Sequence, residues 1–254
     1  MVTWLCQSCV CEISTVSMNG IGSSAARQVM ERMLGAYRLV RVNVVGNYTM
    51  SSSLNAIMTK VTSGQDPSVN VSFAAVFGQT PSGNHRNLVT IPVMAQAVLI
   101  IYNLANTTQL RLDKAQFVGI FSRTIKRWSD PILATAGIQL PDTNIEVWIR
   151  PQGSSGPLIR QLMAKYSRTV VPPHPKDYWP IKLGYKSAES AFGEAGAVAF
   201  YPNTIGFVGY ATYMTTFMEQ GQVILRAAWM PNNAGISIEP SPSAVIKRMC
   251  YMRC

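Results

Sequence analysis

The sequence predicts an α/β protein, and three observations carry this prediction. Apolar residues make up 48% of the 254 residues and charged residues 13%, the composition of a globular chain long enough for two compact lobes. From Gly20 onward, a turn, a helical pattern and a strand pattern follow one another and then repeat. Strands that alternate with helices in this way form parallel sheets, whose loops gather at the carboxyl ends of the strands.

The first repeat begins at a Gly/Ser turn over residues 20–25. The segment NGIGSSAARQVMERMLGAY then carries apolar residues at helical spacing. It predicts a helix that buries Val29, Met30, Met33, Leu34 and Tyr37. The next segment, RLVRVNVVG over residues 38–46, alternates as a strand does.

The second repeat is predicted as a polar turn over residues 46–53, a helix and a strand. The helix lies within NYTMSSSLNAIMTKV. Its inward positions are Leu54, Ile57, Met58 and Val61. The strand is VNVSFAAVF, so the two repeats together predict a βαβ arrangement.

The longest apolar run, VTIPVMAQAVLIIYNL from Val89, predicts buried strands. It is interrupted by Pro92, Gln96 and Asn103. It therefore falls short of the about 20 apolar residues that cross a bilayer.

The second half of the chain continues the alternation of helices and strands. LDKAQFVGIFSRTIKRWSDPILATAG predicts a helix, and IEVWIR predicts a strand. The helix has an apolar side formed by Phe117, Ile120, Phe121 and Ile125. A further helix is expected near SAESAFGEAGAVA, and NTIGFVGYATY predicts a strand that runs into a helix.

The stretch RPQGSSGPLIRQLM, from Arg150 to Met163, has the features of an anion site at a helix start. The first N–H groups of a helix lack intrahelical partners and lie at the positive end of the helix dipole. Here a guanidinium, which can hold an oxyanion by two hydrogen bonds, precedes a Gly/Ser turn over residues 153–156 and Pro157, which suits the first helical position. The buried face of the helix is predicted to be Leu158, Ile159, Leu162 and Met163. The alternative is a capped helix that follows a surface arginine.

The net charge of +10 favours anionic partners. Basic residues are scattered without a run of five or more, so a nucleic-acid partner is not expected. The chain has only 12 acidic residues, two isolated histidines, and no Ser/His/Asp set at a spacing that predicts catalysis. Neither an enzyme nor a cofactor is therefore expected.

The five cysteines occur at the two ends of the chain, as Cys6, Cys9, Cys11, Cys250 and Cys254. The first two have the C-x-x-C spacing of a redox pair or of half a zinc site, and a terminal disulfide is favoured over zinc. Glycosylation sequons occur at Asn47, Asn70 and Asn106. Cysteines and sequons together favour a secreted glycoprotein, although the N-terminus shows no secretory signal.

Three stretches are similar to the phosphate-binding proteins of bacterial ABC phosphate uptake systems. They are IPVMAQAVLIIYNL, FVGIFSRTIKRWSDPILATAGIQLPDTNIEVWIRPQGSSG and AVAFYPNTIGFVGYATY, and the similarity extends over about Gly20 to Ser241. The resemblance implies a two-lobed fold of the type II periplasmic-binding-protein class, with hinge strands between the lobes. It implies a first lobe at 14–90, a second at 91–240, and cysteine-containing ends at 1–13 and 241–254.

The resemblance also implies a set of phosphate ligands at helix N-termini in the cleft between the lobes. The family's first phosphate loop is similar to GIGSSA, which implies the hydroxyl of Ser24 and the N–H of Ala25 as donors. The second loop is similar to NYTMSSS and implies Ser51. The family's arginine motif is similar to RPQGSSG and implies Arg150, Ser154, Ser155 and Gly156.

The sequence departs from the family's pattern at two positions of this site and in its length. Phe77 stands where the family has the aspartate that accepts the proton of phosphate, and Gln152 replaces the aspartate of the arginine motif. Without the acceptor, protonated phosphate and sulfate are expected to bind alike. The chain also ends before the family's last return to the first lobe. Another chain or tied cysteine ends are expected to cover that lobe, or the chain is a fragment of a larger protein.

The leading functional prediction is a binding or sensor domain for inorganic phosphate or a similar oxyanion, without catalysis. Such a domain is expected outside the cell or in the periplasm, with a membrane transporter or receptor as its partner. The alternative is a structural or protein-interaction domain that kept the fold and lost the ligand.

Overall fold

The computed structural model describes residues 14–23, 26–51, 54–63, 71–76, 88–95, 97–134, 139–151, 155–167, 184–214, 225–241 and 243–244. Several predictions made above fall outside these ranges. They concern all five cysteines, the sequon at Asn70, Phe77 and Gln152.

The described residues form ten strands and six α-helices. In chain order these are β1 (Val16–Gly22), α1 (Arg27–Val40), β2 (Val44–Met50), α2 (Leu54–Ser63), β3 (Val71–Ala75), β4 (Val98–Asn103), α3 (Lys114–Phe121), β5 (Glu146–Ile149), α4 (Ser155–Tyr166), β6 (Lys186–Ser187), α5 (Ala191–Phe200), β7 (Thr204–Gly209), α6 (Tyr210–Tyr213), β8 (Arg226–Ala227), β9 (Met230–Pro231) and β10 (Ser237–Ile238). A 3₁₀ helix follows α3 at Pro131–Leu133. The predicted α/β class is therefore confirmed.

The first three strands form a parallel sheet in the order β2-β1-β3. Each residue of β2 pairs with β1, from Val44 opposite Val16 to Met50 opposite Gly22. Helix α1 packs against β2. The parallel βαβ arrangement predicted for this part of the chain is confirmed.

The second sheet has five strands in the order β6-β5-β7-β4-β8 and is covered on both faces. Strand β5 is parallel to β6 and β7, and β4 is antiparallel to β7 and β8. Along β4, Ile100 and Tyr102 point into a core shared with α3 and α4, whereas Leu99 and Ile101 join a core shared with α5. This two-sided burial explains why β4 and β7 are apolar without interruption.

The two sheets belong to separate compact units. Strands β1 to β3 with α1 and α2 form one unit, and the elements from β4 onward form the other. The exact lobe boundaries implied by the resemblance stay a prediction.

Local capping explains where the helices of the second unit begin. The side chain of Asp113 accepts a hydrogen bond from Gln116 N at 2.8 Å, and Gln116 Oε1 accepts one from Asp113 N at 2.8 Å. This is a capping box, which satisfies N–H groups that the first turn leaves unpaired. At α5, Ser190 Oγ accepts from Gly193 N at 2.9 Å.

Three predicted boundaries in the first unit are wrong. Residues 20–22 belong to β1 and not to a turn. Residues 38–40 belong to α1 and not to a strand, and residues 46–50 belong to β2 and not to a turn. The helix continues because its hydrogen-bond ladder adds residues at little cost once formed, up to Arg41 N donating to Tyr37 O at 2.9 Å. Pairing along all of β1 outweighs the turn propensity of Asn47.

The predicted buried face of α1 is largely exposed. Met30 is buried, but Val29, Met33 and Tyr37 are exposed and Leu34 is only partly buried. The main neighbour of this helix among the described elements is β2, and most of the predicted face does not contact it closely enough to be buried. In α2, Ile57 is buried as predicted, while the side chains of Leu54 and Met58 lie outside the described residues.

The long apolar run from Val89 contains one described strand, β4, and its beginning is not buried. Val89, Ile91 and Val93 are exposed, and residues 88–95 form no strand. Pro92 cannot donate a ladder hydrogen bond, which disfavours a central strand there. The prediction of buried strands is therefore confirmed for 98–103 and wrong for 89–95.

The other elements predicted for the second half are present, but two helices have different bounds. The helix expected within residues 112–137 is α3, which ends at Phe121, so Ile125 lies outside it. Phe117, Ile120, Phe121 and Ile125 are all buried, as are Ile159 and Met163 of α4, whereas Leu158 and Leu162 are partly buried. Helix α4 begins at Ser155, so Pro157 is its third residue and not its first. No helix in the described part of the chain has the length and apolar run that a membrane span requires.

Candidate functional site

In the first unit, the polar residues of interest lie at the carboxyl edge of the parallel sheet. Ser23 follows the central strand β1, and its N–H donates to Ala75 O at the end of β3, at 3.0 Å. Ser51 follows β2, and its N–H donates to Gly22 O at 2.9 Å. The edge of a parallel sheet where strands end is where such folds place ligands.

Tyr48 of β2 forms a hydrogen bond with the residue that follows β1 at this edge. Its hydroxyl donates to Ser23 O at 3.0 Å. Burial raises the pKa of Tyr48 to about 12, so the hydroxyl stays protonated and keeps donating. Of the ligands predicted here, Ser51 lies at the edge, whereas Ser24 and Ala25 fall outside the described residues.

In the second unit, Arg150 lies at the junction between β5 and α4. It follows Ile149, whose carbonyl accepts from Ala188 N at 3.0 Å, and it is partly buried. Its guanidinium has no hydrogen-bond or ion-pair partner among the residues that the structure describes. Burial lowers the pKa of Arg150, and the opposite charge of Glu194 acts against that shift.

Helix α4 begins at Ser155, five positions after Arg150 in the sequence. Ser155 is partly buried and Gly156 is buried, and both lie in the first turn, where N–H groups have no intrahelical partner. The structure therefore brings three of the predicted ligands to one strand-to-helix junction, while Ser154 falls outside the described residues. A cation followed by free helix N–H groups can bind an oxyanion.

Glu194 is the residue near this junction that the sequence analysis missed. It lies in the first turn of α5, only 2% exposed, and its Oε1 accepts from Phe207 N at 3.1 Å. Burial raises its pKa to about 8, while the Phe207 N–H and the charge of Arg150 act against that rise. The sequence feature that could have indicated Glu194 is that it is the single acidic residue in the otherwise apolar helix AFGEAGAVAF.

Two cavities described in the second unit have other chemistry. One, of about 390 Å³, is lined mainly by apolar side chains such as Leu158, Leu162 and Met230. The other, of about 860 Å³, is polar and includes the carboxylate of Asp142, which does not favour an anion. Within the described ranges, no group of three or more His, Cys, Asp or Glu side chains could hold a metal ion.

Comparison with known proteins assigns the fold. The family model described as a PBP superfamily domain matches residues 71–242, more than half of the chain. The chain belongs to the PBP superfamily. This membership confirms the predicted type II periplasmic-binding-protein fold, and no curated protein matches the sequence.

Solved structures with the PBP superfamily fold align over most of the chain at low sequence identity. An ABC-type phosphate transport receptor from Vibrio cholerae is 16% identical, with a TM-score of 0.61, and the alignment covers 91% of this chain and 82% of the receptor. PstS from Borrelia burgdorferi is 15% identical, with a TM-score of 0.52 and coverages of 92% and 82%. A human phosphate binding apolipoprotein is 15% identical, with a TM-score of 0.66 and coverages of 91% and 68%. The predicted resemblance to phosphate-binding proteins is confirmed at the level of the fold.

Proposed function

We propose that this chain binds a phosphate-like oxyanion and catalyses no reaction on it. The observation that carries the proposal is Arg150, a partly buried guanidinium that precedes a helix and has no hydrogen-bond or ion-pair partner among the described residues. Removing a guanidinium from water without hydrogen-bond acceptors costs free energy. A bound oxyanion supplies the acceptors that Arg150 lacks, together with a negative charge in direct contact with it.

The ligands proposed beside Arg150 are donors of the same strand-to-helix junction. The N–H groups of Ser155 and Gly156 lie at the positive end of the α4 dipole, which favours an anion. The resemblance to phosphate-binding proteins supports four further ligands, namely Ser24, Ala25, Ser51 and Ser154. That several solved relatives in fold are named phosphate receptors supports phosphate as the class of ligand.

Phe77 leads us to propose that the chain does not discriminate phosphate from sulfate. A side chain without an acceptor cannot take the hydrogen bond that protonated phosphate donates and sulfate does not. The two tetrahedral dianions then offer the same acceptors to Arg150. Their affinities are expected to agree within about threefold, a free-energy difference under about 1 kcal/mol.

Isothermal titration calorimetry with phosphate and with sulfate tests the proposal. We expect the wild-type protein to bind both anions, and Arg150→Ala to weaken both by about 100-fold or more, because charge-assisted hydrogen bonds are lost. Arg32→Ala is the matched control, since it removes the same charge from an exposed position of α1. Its affinity should equal that of the wild type at constant ionic strength.

Two results would contradict the proposal. One is equal affinity in Arg150→Ala and wild type, which would remove the arginine from the site. The other is no heat with either anion from a protein whose circular dichroism shows it to be folded. That second result would favour the alternative of a structural or protein-interaction domain.

The proposed partner and location follow from the proposed ligand. A module that only binds an anion needs a second protein to use it, either a membrane transporter that receives the anion or a membrane receptor that carries the signal. We propose an extracellular or periplasmic location on the same grounds. A free thiol assay on the secreted chain, before and after reduction, tests the terminal disulfide that belongs to this interpretation.

A further inference from the structure

The carboxyl group of Glu194 is buried inside the second unit. It contacts β7, the strand that pairs with β5. It comes from the first turn of α5, which Ser190 caps, and it accepts a hydrogen bond from Phe207 N on β7 at 3.1 Å. With 2% of the residue exposed, water cannot solvate the carboxylate. A negative charge on this carboxyl group can therefore be stabilised only by neighbouring groups of the protein.

The absence of a side chain at Gly206 leaves space for this carboxyl group. A Cβ atom at that position would lie 3.3 Å from Glu194 Oε1 and 3.1 Å from the carbonyl oxygen of Trp148 on β5. Strand β7 runs parallel to β5, with Ile205 opposite Val147. The carboxyl group is thus enclosed beside the last residues of β5, and Arg150 comes directly after them.

Arg150 is the charged group, among the described residues, that acts on Glu194. The elements packed near α5 present other titratable side chains, but none of them contributes to the charge balance of this carboxyl group. These are Tyr102 of β4, Glu146 of β5, Lys186 of β6, and Tyr210 and Tyr213 of α6. The charge of Arg150 and the protonation of Glu194 therefore influence each other.

We propose that Glu194 is a positioning residue for anion binding at Arg150, and that the anion binds preferentially when the Glu194 carboxyl group carries a proton. This inference rests on the proposed function. Ionised Glu194 competes with the anion for the charge of one guanidinium, whereas protonated Glu194 leaves that charge to the anion. At a pH above the pKa of Glu194, binding of the anion is then accompanied by the uptake of one proton from solvent onto the Glu194 carboxylate.

The direction of the pH dependence follows from linkage. The bound anion adds a like charge near Glu194 and raises the pKa of its carboxyl group above the value of about 8 in the free protein. Affinity is therefore constant below that pH and weakens as the pH rises through it, by up to tenfold per pH unit for a single proton. Proton uptake is close to zero at about pH 6 and approaches one proton at about pH 9.

Titration with sulfate between about pH 6 and about pH 9.5 tests this inference, because sulfate keeps a constant charge over that range. Glu194→Gln keeps an oxygen that can accept from Phe207 N but cannot ionise. We expect a flat pH profile for this variant, at the affinity that the wild type shows at low pH. Glu189→Gln is the matched control, since it removes an acidic charge from an exposed position just before α5, and it should keep the wild-type profile.

The outcomes separate this inference from the proposed function. If Glu194→Gln keeps the wild-type slope, or binds far more weakly than the wild type at low pH, the inference is wrong while anion binding stands. Calorimetry of the wild type in two buffers of different ionisation enthalpy gives the proton uptake without any variant, and zero uptake at about pH 9 overturns the inference equally. If folded wild-type protein binds no sulfate at any pH, the proposed function fails, and this inference fails with it.

Discussion

The two larger sheets of this protein are stabilised in different ways. The five-stranded sheet packs against large buried side chains on both faces, with Phe117, Trp128 and Phe207 in one core and Tyr213 and Leu225 in the other. The three-stranded sheet instead brings backbone close to its neighbours at Gly20 and Gly22 of its central strand. Stability in the second unit therefore comes from apolar volume, whereas in the first unit it depends on the absence of side chains at two positions.

The largest expected effect comes from deleting volume in the second unit. Phe117 is fully buried, and its ring centroid lies 5.2 Å from that of Phe121 and 6.1 Å from that of Tyr166. Phe117→Ala should lower the free energy of unfolding by about 4 kcal/mol, because it leaves a cavity in a packed core. Urea denaturation followed by tryptophan fluorescence measures this, since the tryptophans that the structure describes, three of the five in the chain, lie in the second unit at 128, 148 and 229.

Met33→Ala is the corresponding truncation in the first unit. Met33 lies on α1 and is 48% exposed. We expect a change within about 0.5 kcal/mol, the usual range for an exposed position. An effect as large as that of Phe117→Ala would show that the apolar face of α1 is covered in solution, and would end the contrast between the two units.

The next largest effect is expected from adding one methyl group to the first unit. A Cβ atom at Gly22 would lie 2.3 Å from the carbonyl oxygen of Ala75 and 2.3 Å from the hydroxyl of Tyr48. Gly22→Ala should therefore destabilise the sheet by about 3 kcal/mol, since the backbone of β3 must move away. Hydrogen exchange of the β1 and β2 amides, followed by mass spectrometry, reports on this unit specifically.

Gly35→Ala is the control for the added methyl group. Gly35 lies within α1, and outside the nearby backbone of its own helix no described atom lies within 4 Å of the Cβ it would gain. Alanine should stabilise the helix by about 0.5 to 1 kcal/mol. Equal protection of the amides in the two variants would contradict the role assigned to the close approach at Gly22.

Periodicity predicted the type of most elements, because both helices and strands bury a face of fixed period. It failed over residues 38–50, where valines suited to a strand and polar residues suited to a turn gave the wrong boundaries. The chain there follows the helix ladder of α1 and then the pairing with β1, which no local pattern contains. It also failed for the outer face of α1, because burial depends on which element packs against it.

The candidate site was predictable where function lies on one local motif. Arg150, Ser155 and Gly156 are neighbours in sequence, and a guanidinium before a helix start is visible without a structure. Glu194 was not predictable in the same way, because it comes 44 positions after Arg150 in the sequence, and its helix α5 packs against β5 and β7 only in the folded chain. Pairs formed across a sheet depend on strand order, which composition and spacing do not reveal.

The smallest expected effect concerns how the helices of the two units begin. Helix α3 starts with the capping box of Asp113 and Gln116, whereas Ala26 at the start of α1 makes no side-chain cap. Asp113→Ala should lower the free energy of unfolding of the second unit by about 1 kcal/mol, because Gln116 N loses its acceptor.

Asp113→Asn keeps an oxygen at the same position and should lose only a small part of that stability, measured by the same tryptophan-detected denaturation. If Asp113→Asn were as unstable as Asp113→Ala, the negative charge at the start of α3 would be the stabilising feature, and not the hydrogen bond. At the start of α1, by contrast, Ala26 makes no side-chain hydrogen bond that a comparable substitution could remove.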